Sequence, residues 1–299
     1  MIHIRGESNL SPFKKCKMKR FINNDTYNII YENLKEFFDN TDPKNPSPEM
    51  NRDNQNNHRE MEGDRSWRYG DEETKAKFYD VRFDAAKGKK LCEQDVKSTM
   101  ADKKYKKLLQ QALTYRKRIK FEDSGFRLNV PKAISGEDKY FGVFKNSKRP
   151  IVKIAINICG SACVDQNEFR KVARTAIPTI YALETAGIST EVYYIAAAKD
   201  THPDAARYTV THVKIKSAKE RFNWTTFAPV FCLGSYRESI FMSWINSEHE
   251  VSSGLGRPME NREIADKNNF GYTSVIGLNG AGPINVVNEI FSKIQKKEC

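Results

Sequence analysis

Cys159 and Cys163 are the one close pair among six cysteines, which otherwise fall at 16, 92, 232 and 299. Two thiolates could start a zinc site, but a structural zinc needs four ligands, and no Cys-x-x-Cys or His-x-x-x-His partner accompanies them. The plainer reading is that of small buried hydrophobes. Gly280-Ala281-Gly282 could offer helix-terminal amides to a phosphate. It lacks Gly-Lys-Ser/Thr and the full Gly-x-Gly-x-x-Gly, and Pro283 removes one amide, so it reads as an ordinary strand-to-helix turn. His202 and His212 have no hydroxyl or thiol in matching context, and the chain has no Gly-x-Ser-x-Gly elbow. No nucleophile, base and orienting group assemble from these residues. The expectation is therefore no catalytic residue, no cofactor and no metal.

Binding chemistry is easier to find. Lys103, Lys104, Lys106, Lys107, Arg116, Lys117, Arg118 and Lys120 are set around Leu108, Leu109, Leu113 and Ile119. That pattern predicts a helix with an apolar stripe and a cationic outer face. Such faces are commonly just solvated; the functional alternative is electrostatic contact with DNA, RNA or an acidic protein. A second candidate lies in Tyr27, Ile30, Tyr31, Leu34, Phe37 and Phe38, read as the apolar face of a short helix capped by Asp25. So many aromatics on one helix need a partner surface. Either this chain's core covers them, or Tyr27, Tyr31, Phe37 and Phe38 grip another protein.

The elements that must position these groups centre on residues 151 to 198. Ile151-Val152-Lys153-Ile154-Ala155-Ile156-Asn157-Ile158 is β-branched and of strand length. Small residues from Cys159 to Cys163 make a tight loop, and Asp165 or Asn167 can cap a helix through Glu184. Gly187 suits its C-cap, and a second strand follows. The first strand and residues 191 to 197 are expected to be parallel neighbours, with the 167 to 185 helix on one sheet face. Further strands are expected at 126–130, 209–215 and 272–278, and helices at 71–86, 224–245 and from Pro283 to Ile294. Pro229 and Gly234 should divide the second of these helices.

The formal charge of +12 and pI near 9.3 imply attraction to anions. No apolar run approaches the roughly 20 residues that span a bilayer. The basic residues from Lys14 to Arg20 lead into no apolar segment, so a secretory signal is not expected. The scattered cysteines fit a reducing cytoplasm. Mean hydropathy of −0.68 is polar for one compact globule. A basic, irregular start and a Pro- and Asn-rich linker at 40 to 65 account for part of that polarity. The organisation expected is an N-terminal arm and linker (1–65), a basic helical region (66–125) and an α/β core (126–299). The core's sheet should be mainly parallel with flanking helices, and the N-terminal appendages extended and helical.

Two resemblances add to this. Asn157, Cys159 and Ser161, at alternate positions after the first strand, resemble the von Willebrand factor A domain, whose metal site is Asp-x-Ser-x-Ser at that point. Asn157 replaces the aspartate and Cys159 a serine, which removes the anionic oxygen that Mg²⁺ prefers. The resemblance thus implies that core and leaves the metal in doubt. Ser66-Trp67-Arg68, Leu128-Asn129-Val130-Pro131 with Gly136, and the central unit ending Leu183-Glu184-Thr185-Ala186-Gly187 resemble an uncharacterised group of phage-encoded proteins over roughly residues 66 to 245. Size, charge and layout are similar to those of phage Gabija anti-defence proteins. That resemblance implies a homo-oligomer in the host cytoplasm that wraps the Gabija nuclease–helicase stoichiometrically and blocks its access to DNA. It carries over no site residue. The other class kept open is a phage protein that binds nucleic acid directly or processes nucleotides.

Overall fold

The computed structural model describes residues 19–23, 26–41, 85–116, 119–122, 127–128, 134–135, 141–144, 150–160, 164–202, 206–223, 229–231, 239–246, 257–267, 271–278 and 280–298. Most of the linker expected at 40–65, and nearly all of the helix expected at 71–86, lie outside these residues.

The β-branched run forms β6 (Ile151–Asn157), which alternates between the two sheet faces: Ile154 and Ile156 enter the larger of two apolar clusters and Ala155 the smaller. Helix α4 (Gln166–Thr185) follows it. The Asp165 carboxylate caps α4 by accepting from the amides of Asn167 (2.9 Å) and Glu168 (3.1 Å). Phe169, Val172, Ala173, Ala176, Ile177, Ile180 and Leu183 form its buried face. At the other end Gly187 sits at φ 82°, where the Ile188 amide reaches back to the Leu183 carbonyl (3.0 Å) and that of Gly187 to Glu184 (3.0 Å). That double closure is a Schellman motif, and its left-handed residue favours glycine. Strand β7 (Ser189–His202) then pairs parallel with β6, from Ile151↔Ser189 to Asn157↔Ile195. The expected neighbours are found, with the helix over one face.

The rest of the sheet departs from expectation. It is mixed, not mainly parallel. Its order is β1 (Lys19–Asn23), β2 (Thr26–Tyr31), β8 (Ala206–Lys216), β7, β6, β10 (Ser274–Gly277), with β9 (Arg257–Pro258) added beside the far end of β7. β10–β6, β6–β7 and β2–β8 are parallel, whereas β1–β2, β7–β8 and β7–β9 are antiparallel. The cause lies in the connections. Only residues 203–205 separate β7 from β8, too few for a crossover, so the chain must turn back as a hairpin. A separate three-stranded antiparallel sheet holds β3 (Ile119–Glu122), β5 (Phe141–Phe144) and β4 (Arg127–Leu128).

The described part of the N-terminal segment, 19–23 and 26–41, is likewise built into the sheet rather than a helical appendage. Thr26-Tyr27-Asn28-Ile29-Ile30-Tyr31 forms a strand: Tyr27 and Tyr31 fit both the i, i+4 helical spacing and a period of two, but Ile29 fits only the period of two, and β-branched and aromatic residues favour the extended form. Residues 19–23, expected to be irregular, hairpin onto it. Helix α1 (Leu34–Asn40) is short and capped by Asn33, whose side-chain oxygen accepts from the Glu36 amide at 2.8 Å. Strand β2 joins β8 in parallel, so part of the 1–65 segment completes the main sheet.

Helices α4 and α7 (Pro283–Glu298) pack on the sheet face of the larger cluster, and α2 (Ala85–Ala101) and α3 (Lys103–Arg116) pack against α4; all contribute to one cluster with α1. Helix α5 (Phe241–Ile245) supplies Trp244, buried with its indole N–H donated to Thr211 Oγ1 at 2.8 Å. The smaller cluster, on the other face, includes Ile195, Ala197, Val210 and Ile264 of α6 (Asn261–Lys267). Among the described residues no helix is long and apolar enough to cross a membrane.

Candidate functional site

The basic helix exists and is firmly held. Asp102 ends α2 and begins α3, its Oδ1 accepting from the amides of Lys104 (2.7 Å) and Tyr105 (3.1 Å). Tyr105, Leu108 and Ala112 are buried on one side of α3, and the Tyr105 hydroxyl donates to the Pro178 carbonyl of α4 at 2.7 Å. Burial raises that phenol's pKa well above its ordinary value, so it stays a donor. Lys103, Lys104, Lys106 and Lys107 are exposed on the other side, and none makes an ion pair among the described residues. Other lysines differ: Lys214 and Lys19 both hold Glu32, and Lys199 holds Glu263. Arg116 is the last residue of α3, while Lys117 and Arg118 lie outside the described residues.

The aromatic quartet is placed differently from its expected helical face. Tyr27 and Tyr31 stand on β2, Phe37 and Phe38 on α1, and all four are buried in this chain's core. Tyr31 meets Phe37 edge-on at 5.2 Å between centroids, Phe37 meets Tyr194 at 6.0 Å, and the Tyr31 hydroxyl bonds Ser243 Oγ at 2.9 Å. Their contact area is used in holding β2 and α1 to the sheet.

At the carboxyl end of β6, Asn157 is buried and its amide is committed to structure. Nδ2 donates to Asn261 Oδ1 (2.9 Å) and more weakly to the Met259 carbonyl (3.4 Å), while Oδ1 accepts from the Cys159 amide (3.0 Å). Asn261 in turn leans over β10: a Cβ on Gly277 would come within 2.3 Å of its Oδ1. This knot ties β6, α6 and β10 together at the end of the sheet where α/β proteins commonly place ligands. Ser161 and Cys163 lie outside the described residues; Cys159 is buried and joins no disulfide among them. Among the described residues no group of three or more His, Cys, Asp or Glu side chains could hold a metal.

A polar cluster that no motif announces lies on the sheet face of the smaller apolar cluster. His212 of β8 is buried, with Nδ1 2.8 Å from the Tyr272 hydroxyl and Nε2 3.4 Å from Asn28 Oδ1. Because Asn28 Oδ1 can only accept, Nε2 carries the proton and Tyr272 donates to Nδ1. Burial pushes the His212 pKa down to about 3 and that of Tyr272 well above the usual phenol range. Beyond them, the Tyr193 hydroxyl donates to Glu191, and Lys214 Nζ lies 5.9 Å from the Tyr193 ring centroid. Glu32 accepts from Lys19 and Lys214, each at 2.9 Å, and those cations hold its carboxyl down at about 2. The groups come from β1, β2, β7, β8 and the start of β10's approach; only the alternation along β8, which puts His212 and Lys214 on one face, could have hinted at them.

A family model described as a domain of unknown function (DUF7192) matches residues 13–295. No curated protein and no solved structure matches the chain.

Proposed function

The chain belongs to that DUF7192 family, and from its geometry we propose that it is a binding protein that captures an anionic partner on the lysine ridge of α3. The observation that carries this reading is the contrast between the two sides of one helix. Its apolar side is locked against α4, so the backbone beneath the ridge is rigid. Its four exposed lysines neutralise nothing within the described fold and remain available to a partner. A net charge of +12 would speed encounter with an acidic surface and make it salt-sensitive.

The partner expected from the phage resemblance is a bacterial anti-phage defence complex of the Gabija nuclease–helicase kind. Capture in the host cytoplasm by oligomers of this chain would obstruct DNA access stoichiometrically. The β6–α4–β7 unit with its small-residue loop supports a von Willebrand factor A-like core beneath this surface. Asn157, committed to three partners, serves there as a structural tie rather than a metal ligand.

The test is a titration of Gabija nuclease activity on duplex DNA with the intact chain, alongside size-exclusion chromatography of the mixture. Inhibition should saturate near a fixed molar ratio and co-elute as a complex. Reversal of Lys103, Lys104, Lys106 and Lys107 to Glu should weaken both while leaving the melting temperature nearly unchanged. Multiple-turnover inhibition by a small fraction of an equivalent, or no complex, would refute it. Direct, steeply salt-dependent DNA binding without an effect on the nuclease would instead favour the nucleic-acid reading.

A further inference from the structure

Beside the ridge, α2, α3, α4 and the start of α7 border an open cavity of about 600 Å³, of the size that holds small ligands or a few side chains. Its lining contains charges of both signs, but they are unequally used. Asp95 accepts from Arg174 Nη2 at 2.6 Å and faces Arg170 Nε at 3.7 Å. Asp102 is occupied capping α3. Asp95 is thus met by an arginine at each oxygen, and Asp102 is engaged at Oδ1. On the cation side, Arg174 is half exposed and directs one of its five guanidinium N–H donors to Asp95, while Lys104 Nζ makes no bond among the described residues. Ser98 and Gln94, exposed on the α2 wall, add donors of their own. The lining's two cations thus keep unused donors, Lys104 Nζ and four N–H groups of Arg174, which suit a ligand that brings acceptors.

Lys104 lines this cavity and also belongs to the ridge, so the two form one continuous surface. Building on the binding role given above, we propose that the cavity receives an acidic peptide segment of the partner. Its carboxylates would bridge Arg174 and Lys104 while the rest of the segment runs along Lys103, Lys106 and Lys107. Concavity favours a peptide over duplex DNA: a single acidic side chain can enter the recess between the helices, whereas a duplex presents a convex backbone to it.

The probe is a fluorescein-labelled deca-glutamate, titrated with the full chain and read by anisotropy, with a duplex oligonucleotide of equal charge as comparison. Ser98→Trp fills the cavity from an exposed helical position and leaves Lys103, Lys106 and Lys107, which do not line it, unchanged. It should weaken peptide binding about tenfold, the scale of losing a charge-assisted contact. Gln94→Trp, one turn away on the same wall, should act alike and guards against misfolding of the first variant. The Lys103, Lys106 and Lys107 to Ala variant should weaken binding too. If the ridge variant alone weakens binding, the cavity assignment falls and the ridge reading stands. If the duplex binds and the peptide does not, the peptide assignment falls with it.

Discussion

Lys216 Nζ and Glu184 Oε1 lie 2.8 Å apart, with the lysine almost wholly buried where the end of β8 meets the end of α4. The ammonium also donates to the carbonyls of Thr190 (2.8 Å) and Ser217 (3.1 Å), so its three donors each have an acceptor. Glu184 is held in turn by the Thr190 amide and hydroxyl. The two partners are therefore unequal. Glu184→Met strands a buried cation and should cost about 3 kcal/mol. Lys216→Met leaves a carboxylate that keeps two donors and some solvent, and should cost less. Urea denaturation of both variants checks the order; equal, small losses would remove the clamp from the account.

His212 sets a pH dependence. Its folded pKa, about 3, lies below the ordinary 6.5, so between those values the unfolded chain binds a proton that the folded chain refuses. Stability should be full above pH 6.5 and fall as the pH drops toward 3. Glu32, depressed to about 2 from 4.5, contributes in the same direction but only below pH 4.5. Melting between pH 6.5 and 4.5 thus isolates the histidine, and His212→Gln should flatten the curve there. A slope unchanged in that variant would mean the imidazole is not buried neutral.

Gly277 is confined by its neighbours. A Cβ there would sit 2.3 Å from Asn261 Oδ1 and 2.7 Å from the Asn157 carbonyl, and the second of these is backbone. Gly277→Ala should destabilise the chain by about 1–3 kcal/mol. Adding Asn261→Ala should recover only part of the loss. Full recovery in thermal melts would show that the backbone can yield.

Mg²⁺, Mn²⁺ or Zn²⁺ should leave the melting temperature essentially unmoved, because the Asn157 amide is already committed on both its atoms. A native-state site filled at a hundredfold excess over its Kd would stabilise by about 2.7 kcal/mol. A shift of that size, abolished by Asn157→Ala, would restore a metal to the end of β6.

How far the fold could be read in advance depended on how local its determinants are. Strand β6, the Asp165 cap, α4 and the Gly187 stop are each specified by neighbouring residues, and all were legible. So was the lysine ridge of α3, whose apolar and charged positions repeat along one helix. Tyr27 and Tyr31 fit a helical and an extended period at once, and docking against β8 selected the extended one, which buries Ile29 beside them. The Asn28–His212–Tyr272 contact could not be read because its three members are distant in sequence and individually unremarkable. Asn157 was singled out for its position, but its partner Asn261 follows a long polar loop and carried no signal of its own.

The parallel pairing of β2 with β8 has a consequence for how the chain is made. Asn28 and His212, which meet across that pairing, are 184 positions apart. On a ribosome the β1–β2 hairpin emerges long before the strand it must join, at some 5–20 residues per second. Until β8 arrives, the edge of β2 and its aromatic side chains have no native cover, a state prone to strand-to-strand association. Closing so long a loop also makes this a late step in folding. The seam between β2 and β8 is thus the place where the nascent chain is most open to mispairing.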